Sequence, residues 1–187
     1  MSDLPSRQVH GIILMLDTNC INARGSDLAL NQIEKWRQDE VVVVIMDKVS
    51  HREALKGGSD ARSRKAMSHV FSLDVGRAAE DEQRSKTIEA IVFPPGCKSQ
   101  NERNDVELVS QARRFNAHLI TRDGGSSRQP GGLLGNRDQL QKAVGVRIVT
   151  PEEAVDLVQG KIKTRDELTR YRASRVGAPL PEWVGRD

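Results

Sequence analysis

Aromatic side chains are scarce in this chain of 187 residues: three Phe, two Trp and one Tyr make up 3% of it. Proteins that hold single-stranded nucleic acid by stacking need a platform of such rings, so that class is disfavoured. The same scarcity means that Val, Ile, Leu and Ala must build the core. Cysteine is limited to Cys20 and Cys97, which excludes a disulfide framework or a zinc cluster and predicts two reduced thiols. The apolar stretch near the N-terminus, Ile12 to Leu16, stops at Asp17. It is too short for a signal peptide or a membrane span, so a soluble, cytoplasmic protein without membrane association is expected. No glycine-rich phosphate motif follows that stretch, which argues against a nucleotide-binding enzyme. His10, His51, His69 and His118 are scattered without metal-ligand spacing, and no histidine general base is expected.

Charge and short apolar runs are abundant instead. Hydrophobic residues make up 37% and charged residues 29%, with a net charge of +3. The size predicts one domain over 11–160, followed by a basic helical extension over 161–187. Short β-branched runs at 12–16, 41–46, 118–122 and 146–149 read as strands. Two further runs, 70–73 and 91–93, are open to the same reading. Helices are predicted over 27–38 with Ser26 as its cap, after Asp47, and over 60–69, 78–90, 104–116 and 137–144. Two more are predicted from Pro151 and over 165–175, the second introduced by a capping-box pattern at Thr164 to Glu167. Residues 1–10 read as a frayed lead-in, and the last dozen as extended. Strands alternating with helices give a three-layer α/β fold: a parallel sheet of about five strands flanked by helices. Gly124 to Gly135 hold five glycines, two serines and a proline, a long loop by composition.

Four acids stand where such a fold brings side chains to one edge. Asp17 ends the first strand, Glu53 lies in the helix after the second, Asp105 opens a later helix, and Asp123 follows the next strand. Carboxylates that meet repel: at an effective dielectric of about 20, two unit charges 4 Å apart cost roughly 4 kcal/mol. A divalent cation removes that penalty, and hard oxygen ligands suit magnesium or manganese. Such ions activate water and stabilise the leaving oxygen in phosphodiester cleavage. Each acid also has a plainer role. Asp17 and Asp123 suit turns, Glu53 suits a solvated helix face, and Asp105 suits the positive end of a helix dipole. Only the set of four is informative.

Leu16-Asp17-Thr18-Asn19, Val49 to Leu55, Asn104-Asp105 with Ala112, Leu119 to Asp123, and Gly145 to Ala154 together resemble the PIN domain over about residues 11–158. The resemblance implies a parallel sheet with flanking helices and a metal-dependent endoribonuclease acting on single-stranded RNA. It implies Asp17, Glu53, Asp105 and Asp123 as both the catalytic and the metal-binding acids, with Mg2+ or Mn2+ as cofactor. It also implies a toxin of the VapC type with an antitoxin partner, and a homodimer. The chain departs from the family after Asp123, where Gly125 and Ser126 replace a further acid or polar residue. Ser126 or Asp138 is a candidate to fill that place.

Thr121, Arg122 and Ser126 are candidate substrate contacts: Thr121 to orient a carboxylate or water, Arg122 to hold a phosphate. Alternation along the strand end equally points Arg122 at solvent. Basic runs at Arg62, Arg64 and Lys65 and over 161–175 suit an RNA backbone or a solvated helix face. The main alternative to a nuclease is a non-catalytic scaffold of the same fold, binding RNA or a protein. A phosphoacceptor receiver domain is disfavoured, because Thr150-Pro151 stands after the last strand where that pattern wants a lysine.

Overall fold

The computed structural model describes residues 6–21, 25–47, 50, 54, 60, 64, 79–127 and 129–187. The described strands are β1 (Ile13–Leu16), β2 (Val43–Ile45), β3 (His118–Ile120) and β4 (Arg147–Val149). They form one parallel sheet in the order β2-β1-β3-β4. Ile13 pairs with Val43, Leu14 with His118, and His118 with Arg147.

Strand residues alternate between two cores, as the period of two requires. Leu14, Leu16, Val44, Ile120 and Val149 face one core, which α1 (Leu28–Gln38) and α6 (Pro151–Val176) complete with Leu30, Ile33, Trp36, Ala154 and Val158. Met15, Ile45, Leu119 and Ile148 face the other. There α2 (Ala79–Val92), α3 (Gln100–Arg114), α4 (Gly132–Gly135) and α5 (Arg137–Val144) contribute Ile88, Val109, Leu133 and Leu140. The result is a three-layer α/β fold with helices on both faces of a parallel sheet, the arrangement that the PIN resemblance implies.

The strand count among the described residues is four, against about five expected. The candidate strand at 70–73 lies outside the described residues. The candidate at 91–93 is helical instead: Ile91 and Val92 end α2, and the Phe93 N–H donates to the Glu89 carbonyl at 2.7 Å. Ile88 and Val92 are spaced to meet the same core, so packing overrides the β-propensity of the run.

Helix starts moved where an unread cap was present. Asp27, not Ser26, caps α1, accepting from the Leu30 N–H at 3.0 Å. Ser99 and Glu102 form a capping box that starts α3 at Gln100 rather than 104, so Asp105 sits in its second turn, not its first.

Thr150 and Glu153 form a capping box, with Pro151 in the first turn, and α6 then runs 26 residues to Gly177 without a break at Gly160. The pattern at Thr164 does not start a new helix. Its hydroxyl donates to the Gly160 carbonyl at 3.1 Å, and the buried stripe Ile162, Arg165, Asp166, Thr169 and Ala173 carries the helix through.

The lead-in and the last residues are tied together on that stripe. Val9 is buried, with its N–H donating to the Val41 carbonyl at 2.8 Å. Arg165 pairs with Asp166 at 2.7 Å and with Asp187 at 2.9 Å, while Arg7 meets Asp187 at 2.5 Å. The Arg165 guanidinium lies 4.4 Å over the Trp183 ring, a favourable cation–π contact. Among the described residues, no helix is long and apolar enough to cross a membrane.

Arg165 thus joins the buried carboxylates of Asp166 and Asp187, and removing it takes the nearest positive charge from Asp166 while Arg7 remains at Asp187. Arg165→Ala is expected to cost about 3–5 kcal/mol, read as a lowered urea midpoint with unchanged slope. A loss below about 1 kcal/mol would show the cluster to be a surface pair in energetic terms.

Candidate active site

Because all four strands run the same way, their carboxyl ends share one edge, where open α/β sheets present ligands. The ladder extends one step past the strands: the Asp17 N–H donates to the Ile120 carbonyl at 3.0 Å, and the Thr121 N–H to the Val149 carbonyl at 3.1 Å. Asp17 and Thr121 are therefore neighbours on adjacent chain ends. Asp17 is 8% exposed and Thr121 is fully buried.

Three groups converge on the Thr121 hydroxyl. It donates to Asp17 Oδ2 at 2.6 Å. It accepts from Asn19 Nδ2 at 3.1 Å and from the Asp123 N–H at 3.0 Å. One hydroxyl has one proton and two lone pairs, so its capacity is filled. Its orientation is fixed, and so is that of the Asp17 carboxylate. The short distance is that of a charge-assisted bond. The Asn19 amide oxygen in turn accepts from the Arg122 N–H at 3.1 Å and from the Cys20 thiol at 3.1 Å. Burial, with the Asp17 charge adding to it, pushes the Cys20 thiol well up, so it stays protonated and is a donor rather than a nucleophile.

Asp123 organises the glycine-rich loop. Its Oδ1 accepts from the Gly125 N–H at 3.1 Å, and its Oδ2 from the Leu133 N–H at 2.8 Å. Leu134 closes the same ring, its N–H donating to the Asp123 carbonyl at 3.1 Å. The loop therefore leaves and returns to one carboxylate. The two strands of the loop touch closely enough that a Cβ on Gly132, where φ is +57°, would lie 2.4 Å from the Gly125 nitrogen. Glycine is required there for both the backbone angle and the approach.

Arg122 turns away from Asp123 and bridges two helix starts. Its Nη2 lies 2.5 Å from Asp27 and 2.6 Å from Glu152. The bond to Glu152, followed by that to Asp27, raises the Arg122 pKa. The same bond holds Glu152 below the usual glutamate range. Burial pushes the Asp27 carboxyl up, but the Leu30 N–H and the Arg122 guanidinium outweigh it and the net shift is down.

The structure thus joins the Asp17 carboxylate to the Asp123 backbone N–H through one hydroxyl, while the Asp123 carboxylate serves the loop. Asp105 is half-buried on the second turn of α3 and is not among the groups bonded to Thr121. Glu53 lies outside the described residues. Among the described residues, no three of His, Cys, Asp and Glu come together closely enough to hold one ion. Thr121 is fully buried, and its hydroxyl orients the Asp17 carboxylate. Arg122 is exposed at the strand end, as the alternation predicts, and its guanidinium is paired with two acids. Ser126 serves the loop, its hydroxyl accepting from the Gln129 N–H at 3.3 Å, and Asp138 is exposed on the first turn of α5.

Two residues escaped the sequence reading. Asn19 is the second support of the hydroxyl. Asp47, 5% exposed, leaves β2 at the same edge and accepts from the Ser50 N–H at 2.7 Å. Its place after an apolar run matched that of Asp17 and was the available signal. As a donor set, the edge offers hard carboxylate oxygens, and each Asp123 oxygen accepts one N–H and keeps a second lone pair. That chemistry suits a small hard divalent cation.

Two outcomes follow from this geometry. Thr121→Val keeps the shape and removes the hydroxyl, stranding the buried Asp17 oxygen and the Asn19 amide; it is expected to cost about 1–3 kcal/mol in chemical denaturation, with Thr121→Ser restoring most of it. Equal stability of the valine and serine variants would show that the hydroxyl does not hold the site. Arg122→Ala is expected to raise the Asp27 and Glu152 pKa values toward ordinary ones, read by NMR titration of the carboxylates. Folded-state pKa values below the unfolded ones mean that these pairs stabilise at neutral pH. That contribution fades as the pH falls through the depressed values, so Arg122→Ala and the parent should converge in stability in strong acid. A stability gap that persists there would contradict the ion-pair assignment.

No protein-family model matches the chain, and no curated protein was found to match it. Among solved structures it is similar to a chain of VapBC2 from Rickettsia felis bound to a DNA fragment from its promoter. That likeness has a TM-score of 0.46 and 14% identity, over 74% of this chain and 98% of that one. It is also similar to a PilT N-terminus domain protein from the hyperthermophilic archaeon Sulfolobus solfataricus P2, with a TM-score of 0.41 and 12% identity, over 79% of this chain and 93% of that one.

Proposed function

We propose that the chain is a metal-dependent nuclease that hydrolyses phosphodiester bonds of single-stranded RNA at the carboxyl edge of its sheet. The observation that carries the reading is the buried Asp17 carboxylate, held by the Thr121 hydroxyl at 2.6 Å while that hydroxyl also anchors the Asp123 backbone. That carboxylate, 8% exposed, presents a hard oxygen ligand at the sheet edge, and a divalent cation bound there would offset part of the cost of burying its charge. Mg2+ or Mn2+ would be held by Asp17 with Asp123, Asp105 and Glu53, and would supply activation of water and charge neutralisation at the leaving oxygen.

The chain's own residues supply the positioning. Thr121 fixes the Asp17 oxygen, Asn19 fixes the Thr121 hydroxyl, and the Arg122 bridge fixes the starts of α1 and α6 around them. Positions 11–160 would form the nuclease unit, with 161–187 as its extension. An antitoxin partner, a toxin role and homodimerisation are what the PIN resemblance adds.

One observation favours a second reading, a non-catalytic scaffold: both Asp123 oxygens are already engaged by loop N–H groups. Cleavage of a single-stranded RNA with Mg2+ or Mn2+ separates the two. Asp17→Asn and Asp123→Asn are each expected to abolish cleavage, and Thr121→Val to slow it about 10–100-fold, as loss of a ligand's supporting bond does. The same residual activity in the parent and both Asn variants would remove the mechanism.

A further inference from the structure

A cleft of about 840 Å3 opens between the end of α2, the turn that follows it, the start of α3, the glycine-rich loop and α5. Its volume is that of a small-molecule site. Two of its walls lead to the candidate active site. α3 carries Glu102 in the cleft and Asp105 three residues on, close to one helical turn along the same side. The loop that carries Ser127 and Pro130 is closed at both ends on Asp123.

The lining is divided by chemistry. Ile91, Pro94 and Pro95 make an apolar wall, while Lys98, Ser127 and Gln139 bring polar groups to the cleft. All three polar residues are exposed, and their side chains make no hydrogen bond or ion pair among the described residues. Glu102, by contrast, is committed: its carboxylate accepts from the Ser99 N–H at 2.9 Å in the α3 capping box. The cleft therefore offers one cation and two neutral hydrogen-bonding groups that the fold itself does not use.

We propose that this cleft seats a base of single-stranded RNA next to the bond to be cut. The base lies against the Pro94-Pro95 wall, the Gln139 amide and Ser127 hydroxyl read its edge, and Lys98 holds a neighbouring phosphate. An unstacked base is a flat apolar body with donors and acceptors on its rim, and the cleft has the same division. Single strands are read in this way, with bases splayed out and bonded along their edges. Continuity of two of its walls with Asp105 and Asp123 favours RNA over a protein segment, because α3 and the glycine-rich loop carry both the cleft lining and these acids. The inference rests on the nuclease reading and gives it a determinant of sequence preference.

The test is cleavage of a pool of single-stranded RNA, randomised in sequence, by the full chain with Mn2+, reading base preference at each position around the cut. The parent is expected to prefer one base at one flanking position by at least about tenfold, the range of a good base contact. Ser127→Ala with Gln139→Ala is expected to bring that preference close to unity. Lys98→Ala is expected to raise KM and to flatten its dependence on salt. Unchanged preferences and KM in all these variants would overturn the proposal while leaving the acids' role intact. If the parent does not cleave, the nuclease reading fails separately. Equilibrium binding of a labelled single-stranded RNA then decides the cleft: weaker binding in the double variant supports it, and equal binding, as expected if a protein segment is the occupant, overturns it.

Discussion

One hydroxyl holds the carboxyl edge of this protein together. The Thr121 side chain joins the end of β1, through Asp17 and Asn19, to the end of β3 and the loop beyond it. It is fully buried and its bonding capacity is filled. Neither aspartate can move without disturbing it. The parallel register places Thr121 there, because the pairing of Leu16 with Ile120 brings Asp17 and Thr121 side by side one step later. The site is therefore a consequence of strand register, and register is fixed by the two buried faces of the sheet.

The glycine-rich loop depends on the same anchor. Five glycines in twelve residues suggest loose chain, yet the loop begins and ends on one carboxylate. Asp123 does for this loop what a capping side chain does for a helix: it accepts the N–H groups that the turn leaves exposed. The loop also places Ser127 and Pro130 on the wall of the adjacent cleft. Asp123 thus links the end of β3 to the wall of that cleft. The close return of the chain onto Asp123 is why glycine is demanded at position 132, where a Cβ would lie 2.7 Å from the Asp123 carbonyl oxygen.

The sequence made the sheet legible because its strands are short, β-branched and buried on both faces, so that Leu14 and Met15 both had to be apolar. It also placed Asp17 and Asp123 at strand ends. It left the start of α3 four residues late, because the Ser99–Glu102 capping box was passed over in favour of the apolar stripe further on. Ile91 and Val92 read as strand residues because propensity is local, whereas their helix is decided by packing against α3. The single length of α6 was hidden by Gly160 and by a capping pattern at Thr164 that sits within a continuous buried stripe. The Arg122 bridge was not readable at all, since Asp27 and Glu152 are distant in sequence and meet only through the fold. Convergence of the four acids follows from topology and resemblance; in the structure the Asp17 carboxylate and the Asp123 backbone N–H meet at Thr121.

The account stands or falls on whether this edge takes up a divalent cation. Calorimetric titration of the full chain with Mn2+ measures that directly. Saturable uptake by the parent, lost in Asp17→Asn while the fold is retained, is the predicted result. No heat beyond dilution with the parent, or equal uptake by both proteins, would contradict it.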